Sequence, residues 1–281
     1  YNGNIAVGAT VDIDLPAITL TKGLHALSFA VDLLNDGDVS NNQEGFALRV
    51  NEIGTVDAVY DFETAGDELL TYADGIPQLW SRGTYNQSGS VFDTTVLDGN
   101  VYATNLNGDY FQNTRSYLVT DCYDLNGITN PTLVFDMAFD IEENWDYLYV
   151  EYSTNGGQEW NVLGSATDAD WYNSDRTFTS SGNTDCFTCI GSQWTGTDTT
   201  MKEYKYNLAA FNTESSIVFR FVLEIYFFNR IFQFNHSFRI IISLIFELGF
   251  MGVPSVFLYP LFRTFSFLLT TSNLFIPLAL P

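Results

Sequence analysis

The stretch that decides the fold is PTLVFDMAFDIEENWDYLYVEYSTNGGQEW, residues Pro131–Trp160. Apolar residues alternate with other residues across 133–139 and again across 147–152, which is the period-two pattern of strands with one buried face. A turn follows at 155–157, because asparagine and glycine accept positive φ at little cost. Strands with one apolar face need a second sheet to cover them, so the pattern predicts a β-sandwich. We expect its core to include Phe135, Met137, Leu148, Val150 and Phe219.

The charge of the chain limits its partners. It has 281 residues and a formal net charge of −23. This balance disfavours nucleic acid, whose phosphates need Lys and Arg, and it disfavours anionic membrane surfaces for the same reason. An acidic, aromatic-rich chain of this kind is typical of an extracellular β-protein.

The first segment, residues 1–52, contains three alternating stretches, at Thr10–Leu15, Leu27–Val31 and Phe46–Val50. They predict the last strands of an immunoglobulin-like domain. YNGNIAVGATVDIDLPAITLTKGLHALSF resembles the end of adhesion-type immunoglobulin-like modules in secreted proteins of Bacteroidetes-type bacteria. The chain opens in mid-pattern, so we expect it to be a fragment whose upstream domains are among its partners.

Residues 56–223 carry short strands separated by Gly, Asn and Asp, which favours a jelly roll. Asp61-Phe62-Glu63, SYLVTDCYDLNGITNPTLVFDMAF, WDYLYVEYSTNGGQEW and SSIVFRFVL resemble the jelly-roll modules related to the MAM domain, especially copies attached to secreted bacterial metallopeptidases and adhesins. The resemblance implies a non-catalytic module, accessory to an upstream metallopeptidase. It also implies a closing strand after 217–223, and we expect residues 224–281 not to supply one.

The tail, residues 224–281, differs sharply from the rest. It holds 2 of the 34 acidic residues but 12 of the 24 Phe. Three interpretations stay open: an out-of-frame translation of AT-rich DNA, a membrane anchor within 240–262, or a native core segment. The first explains the abrupt change most simply, and it predicts that the tail packs poorly against the sandwich.

The chain has three cysteines, Cys122, Cys186 and Cys189. A zinc site would need a second Cys or His pair, and a thioredoxin-like site would need a βαβ context. We therefore expect a structural disulfide, as in exported proteins. All three pairings of these cysteines stay open.

Residues that could carry chemistry are few. The sequence has no HExxH and no G-x-S-x-G motif. Asp140, Glu142 and Asp146 form an acidic cluster that could supply the two carboxylates of a glycosidase. The same three residues, with Glu63, are candidate ligands of Ca²⁺, which prefers carboxylate oxygens. A solvated loop is the competing interpretation of the cluster.

Tryptophans provide the remaining candidates for ligand binding. Trp171 and Trp194 lie in polar loops, and Trp145 lies in the acidic cluster. Their ring faces could stack on sugars, although packing beneath the loop is the favoured role for Trp171 and Trp194.

These observations predict a secreted or cell-surface, all-β module that binds an extracellular glycan or protein without catalysis. A glycoside hydrolase using the Asp140–Asp146 loop and a purely structural spacer are the alternatives.

Overall fold

The computed structural model describes residues 6, 9–14, 16–32, 37–74, 79–86, 91–92, 99–111, 113–178 and 185–225, and the backbone of 239–245 and 266–268. The chain divides into two compact units, one formed by residues 1–51 and 252–281 and the other by residues 52–251. The described residues contain no α-helix, and none of their elements is a helix long and apolar enough to cross a bilayer.

Fifteen strands lie in the described part of the chain. In order they are β1 (Thr10–Asp12), β2 (Gly23–Ala30), β3 (Gln43–Val50), β4 (Val59–Tyr60), β5 (Leu70–Asp74), β6 (Ser81–Thr84), β7 (Asn100–Ala103), β8 (Thr114–Tyr123), β9 (Thr132–Asp140), β10 (Asp146–Ser153), β11 (Asn161–Val162), β12 (Thr197–Asn207), β13 (Ile217–Ile225), β14 (Arg239–Ile245) and β15 (Ser266–Leu268).

The larger unit contains two antiparallel sheets. One has the order β11-β10-β13-β8-β5, and the other has the order β12-β9-β14-β7-β6 with β4 also paired to β14. From β8 to β14, the consecutive long strands alternate between the two sheets, which is how a jelly roll winds. The predicted all-β sandwich is confirmed.

The core lies between these two sheets. Phe135, Met137, Leu148, Val150 and Phe219 are each at most 1% exposed, as the alternation predicts. The ring centroid of Phe135 on β9 lies 4.8 Å from that of Phe221 on β13, so the inner faces of the two sheets meet directly.

The smaller unit contains a hairpin of β2 and β3, in which Gly23 pairs with Val50 and Ala30 with Gln43. Exposure alternates along both strands, and the rings of Phe29 and Phe46 stack at 5.4 Å on one face. Within the described residues β1 pairs with β15. The immunoglobulin-like character of residues 1–52 stays a prediction.

Contrary to expectation, the tail adds a strand, β14, to the sandwich. β14 pairs with β9 along its whole length, from Arg239↔Asp140 to Ile245↔Val134, and it also pairs with β7 and β4. The prediction that residues 224–281 do not complete the sandwich is therefore wrong. The sequence of β14, RIIISLI, does not alternate, so the period-two pattern could not identify this strand.

Replacing Phe135 with alanine should lower the free energy of unfolding by about 3–5 kcal/mol, because the change leaves a cavity between the sheets. Chemical denaturation measures this loss. Phe111→Ala is the matched control, because Phe111 is 54% exposed and its loss should change stability by no more than about 0.5 kcal/mol. Equal effects of the two substitutions would contradict the placement of Phe135.

Truncation after Ile225 should destabilise the sandwich and increase aggregation, because β9 and β7 lose the strand between them and expose unpaired edges. Truncation after Ile245 is the control, since it keeps β14. Thermal unfolding and light scattering of the two chains test the difference. A chain ending at Ile225 that is as stable as the control would show that β14 is dispensable.

Candidate functional site

The long connection between β11 and β12, of which the structure describes residues 163–178 and 185–196, folds back onto the sandwich. The backbone groups of Leu148 and Trp194 exchange two hydrogen bonds of 2.9 and 2.8 Å. Ser174 and Gln193 form a second antiparallel bridge. This connection is thus tied to β10 by backbone pairing, and it can hold side chains in fixed positions.

Two of the predicted ligand-binding tryptophans, Trp171 and Trp194, are buried beneath the connection. Trp171 is 3% exposed and Trp194 is 1% exposed, so neither presents a ring face to a ligand. The indole N–H of Trp194 donates to the Trp171 carbonyl at 2.7 Å, and that of Trp171 donates to the Leu163 carbonyl at 2.9 Å. Packing beneath the loop, the role favoured for both residues from the sequence, is what the structure shows, and the surface role is not.

The predicted disulfide is confirmed, and of the three open pairings the structure contains Cys186–Cys189. Both cysteines are buried. Cys122 lies on β8 as a free thiol with its sulfur 3.0 Å from the Ser216 hydroxyl, and burial raises the pKa of this thiol.

The disulfide loop contributes to a small aromatic surface, which we call the aromatic edge. It consists of Trp145, Phe187 and Phe178. The ring centroids of Trp145 and Phe187 lie 6.0 Å apart, and those of Phe187 and Phe178 lie 5.1 Å apart. Phe178 is 45% exposed, and the other two are half-buried. Large aromatic rings left partly open to solvent are typical of a binding surface.

Hydrogen bonds hold the aromatic edge in place. The Tyr147 hydroxyl donates to the Thr188 carbonyl within the disulfide loop. The side-chain carbonyl of Gln193 accepts from the backbone of Ile190 and Gly191 at 3.0 and 2.9 Å. Its amide donates to the Arg176 carbonyl at 2.8 Å. Because Gln193 is fully buried, these bonds fix the loop without competition from water.

Among the predicted residues, Trp145 alone joins this surface. Phe178 and Phe187 were not predicted. The signal for Phe187 was present, because it is an apolar residue between two disulfide-forming cysteines in an otherwise polar segment. Phe178 carries no comparable signal, since its position depends on how the connection folds back.

The acidic cluster does not form an open pair of carboxylates. Asp146 is 3% exposed, and its carboxylate accepts a hydrogen bond from the Tyr110 hydroxyl. Burial, with the Asp146 charge as the second cause, raises the pKa of that hydroxyl well above its usual value. Asp140 accepts from the Thr197 hydroxyl at 2.7 Å, whereas Glu142 is exposed. A buried and bonded Asp146 is poorly placed to act on a glycosidic bond.

The carboxylates predicted to bind Ca²⁺ are engaged in different contacts. Glu63 accepts from the backbone N–H of Asn100 and from its side-chain amide, the latter at 3.1 Å. Across the described residues, no group of three or more His, Cys, Asp or Glu side chains is arranged to hold a metal ion. Glu63, Asp140, Glu142 and Asp146 are thus not brought together as one ligand set.

Replacing both Cys186 and Cys189 with serine should lower the free energy of unfolding by about 2 kcal/mol, the loop-entropy value for so short a ring. Denaturation of the oxidised and reduced wild-type proteins provides the matched comparison. Thiol counting on the unreduced protein should find one thiol, that of Cys122. Three titratable thiols would contradict the disulfide.

No known protein-family model matches the chain, and no curated protein matches it either. Among solved structures, the K2 cleaved adhesin domain of Lys-gingipain is 15% identical with a TM-score of 0.35, covering 67% of this chain and 95% of that one. The enzymatically active domain of tailspike protein 4 of bacteriophage CBA120 is 7% identical with a TM-score of 0.36, covering 71% and 21%. A carbohydrate-binding module of the β-sandwich superfamily is 10% identical with a TM-score of 0.31, covering 82% and 75%. At these TM-scores the likenesses carry no weight for the function of this chain.

Proposed function

We propose that this chain is a non-catalytic binding module that engages an extracellular glycan through the aromatic edge. The observation that carries the proposal is a group of three neighbouring rings, Phe178 exposed and Trp145 and Phe187 half-buried, at a disulfide loop that is hydrogen-bonded to the sandwich. A surface fixed in this way loses little conformational entropy when a ligand binds.

A glycan fits this surface because it offers both kinds of group that the surface can bind. The C–H face of a pyranose packs on an aromatic ring, and its hydroxyl groups donate to nearby carboxylates. Glu142 and Glu143 are exposed beside Trp145 in the sequence and provide such acceptors. The net charge of −23 disfavours anionic glycans and nucleic acid.

The disulfide supports an extracellular setting, because such bonds persist in oxidising compartments. We therefore propose a secreted or cell-surface protein. The sequence motifs alone support kinship with MAM-related modules and attachment to a metallopeptidase. The reading frame upstream of this chain tests both. A calcium site at Glu63 or in the Asp140–Asp146 loop stays a proposal that calorimetry with CaCl₂ tests.

Binding to an array of neutral and acidic oligosaccharides, followed by calorimetry with the best ligand, tests the proposal. Trp145→Ala and Phe178→Ala should each weaken binding roughly 5- to 30-fold, the loss expected for an aromatic contact of about 1–2 kcal/mol. Phe111→Ala is the control, because Phe111 is exposed but lies outside the aromatic edge.

Three other outcomes would overturn this assignment. Absence of binding to every glycan, with no protein partner captured, would favour a structural spacer. Binding to a protein alone would assign the aromatic edge to a protein partner. Glycoside turnover that is abolished by Asp140→Asn or Asp146→Asn would establish the hydrolase alternative.

A further inference from the structure

Three Asn-Gly pairs in the described part of the chain differ in how their side chains and backbones are bonded. They are Asn107-Gly108, Asn126-Gly127 and Asn155-Gly156. A fourth pair, Asn2-Gly3, lies outside the described residues. Asparagine loses its side-chain amide readily before glycine, because glycine has no Cβ to obstruct attack by its backbone nitrogen. All three asparagines are exposed, so exposure alone does not distinguish them.

The loss of the amide is an intramolecular reaction that needs only water. The glycine nitrogen gives up its proton to hydroxide and bonds to the asparagine Cγ, and the side-chain nitrogen takes up a proton and leaves as ammonia. Water then opens the cyclic imide at either carbonyl, which yields aspartate or isoaspartate. The reaction therefore needs an asparagine side chain that can turn towards the next backbone nitrogen, and a glycine N–H that can lose its proton.

Hydrogen bonds hold the Asn155 side chain in the turn after β10. Its Oδ1 accepts from the Ser153 hydroxyl at 2.9 Å and from the backbone N–H groups of Gln158 and Glu159 at 3.1 and 3.0 Å. Its Nδ2 donates to a carboxylate oxygen of Glu159 at 3.3 Å. Turning the Cγ towards the Gly156 nitrogen moves these atoms away from their partners, so the four bonds oppose the reaction.

At Asn126-Gly127 the attacking nitrogen is the group that is bonded. The Gly127 N–H donates to the Asn212 carbonyl at 2.9 Å. The Asn126 N–H donates to the Asp124 carboxylate at 2.9 Å, so the backbone on both sides of the Asn126 side chain is fixed. The Gly127 N–H must leave its acceptor before it can lose its proton, which makes the reaction slower.

The loop of Asn107 is held by a neighbouring side chain. Asn105 Oδ1 accepts from the Asn107 N–H at 3.1 Å, and Asn105 Nδ2 donates to the Asp109 carbonyl at 2.8 Å. Both contacts hold backbone atoms, and neither engages the Asn107 side-chain amide or the Gly108 N–H. They therefore keep the loop backbone in place while the exposed amide turns.

We propose that Asn107-Gly108 is a site of spontaneous covalent modification, at which Asn107 is converted to aspartate and isoaspartate ahead of Asn126 and Asn155. Each hydrogen bond that must break at the other two pairs slows their reaction roughly 2- to 10-fold. The two bonds of Asn105 impose no such cost, since the side chain and nitrogen that react are not part of them. This inference is independent of the proposed glycan binding.

Formation of isoaspartate changes the loop, because it places the Cβ of residue 107 in the main chain. The added methylene group lies between the two atoms that Asn105 holds, the Asn107 nitrogen and the Asp109 oxygen. The two hydrogen bonds no longer fit the lengthened backbone, so the loop opens. Proteases should then cut the aged loop more readily than the loop of fresh protein, because cleavage follows local opening.

Ageing the full chain in mildly alkaline buffer at physiological temperature, followed by peptide mapping with mass spectrometry, tests the proposal. Asn107 should react roughly 2- to 10-fold faster than Asn126, where one bond opposes the reaction. The difference from Asn155 should be larger, because four bonds hold that side chain. Isoaspartate should accompany aspartate at position 107, because water opens the imide at both carbonyls.

Two variants are the controls. Asn107→Gln keeps an amide but requires a larger ring that closes more slowly, so it should abolish both the modification at position 107 and the protease sensitivity acquired on ageing. Ser153→Ala removes one donor to Asn155, so it should speed the reaction at Asn155 roughly 2- to 10-fold. The rate at Asn107 should stay unchanged in that variant.

Three results would overturn the proposal. The first is a rate at Asn126 or Asn155 that equals or exceeds the rate at Asn107. The second is an intact Asn107 after a period in which a synthetic peptide of residues 104–111 is converted, since the folded loop would then protect it. The third is aspartate without isoaspartate at position 107, which would refute the imide route.

Discussion

The structure depends on the contacts that the Phe135 ring makes in four directions. It meets Phe221 of the opposite sheet at 4.8 Å, and it stacks on Tyr204 of the neighbouring strand β12 at 5.5 Å. Trp171 and Trp194 of the long connection lie at 5.7 and 6.0 Å. The Phe135 ring thus contacts both sheets and the long connection. Each aromatic pair stabilises the fold by more than the apolar area that it buries.

Rigidity of the long connection follows from how its buried polar groups are satisfied. A polar segment can be buried only if its donors and acceptors find partners. The indoles of Trp171 and Trp194 and the amide of Gln193 all bond to backbone carbonyls. Because the buried side is fixed in this way, the aromatic edge on the exposed side is held by the same residues that stabilise the fold.

Much of the sandwich could be predicted from local sequence, and the exceptions have physical causes. The alternation in β9 and β10 identifies the inner faces, because a half-buried strand must alternate. β14 was not predicted, because its sequence, RIIISLI, does not alternate. A second buried cluster, separate from the main core, involves the two strands beside β14. It contains Val101 and Ala103 on β7, Ala138 on β9, and the rings of Tyr85 and Phe92. A strand between such neighbours reads as a continuous apolar run.

The candidate site was less predictable than the fold. Trp145 could be identified from its polar surroundings, but the same criterion failed for Trp171 and Trp194. Polar neighbours in sequence do not show whether a ring points outward, because a loop can fold over its own indoles. Whether those rings are buried is decided by Phe135, which lies more than thirty positions earlier in the chain. No local pattern contains that information.

The ion pair of Arg220 and Glu151 on the five-stranded sheet differs from an ordinary surface ion pair, because each side chain is only 13% exposed. Solubility alone needs exposed charges with free rotamers, whereas Arg220 is held between two rings and bonded to Glu151. Desolvating such a pair is costly, and the gain in stability is small. What the arrangement provides is a fixed position for the Tyr117 and Trp160 rings on either side of the guanidinium.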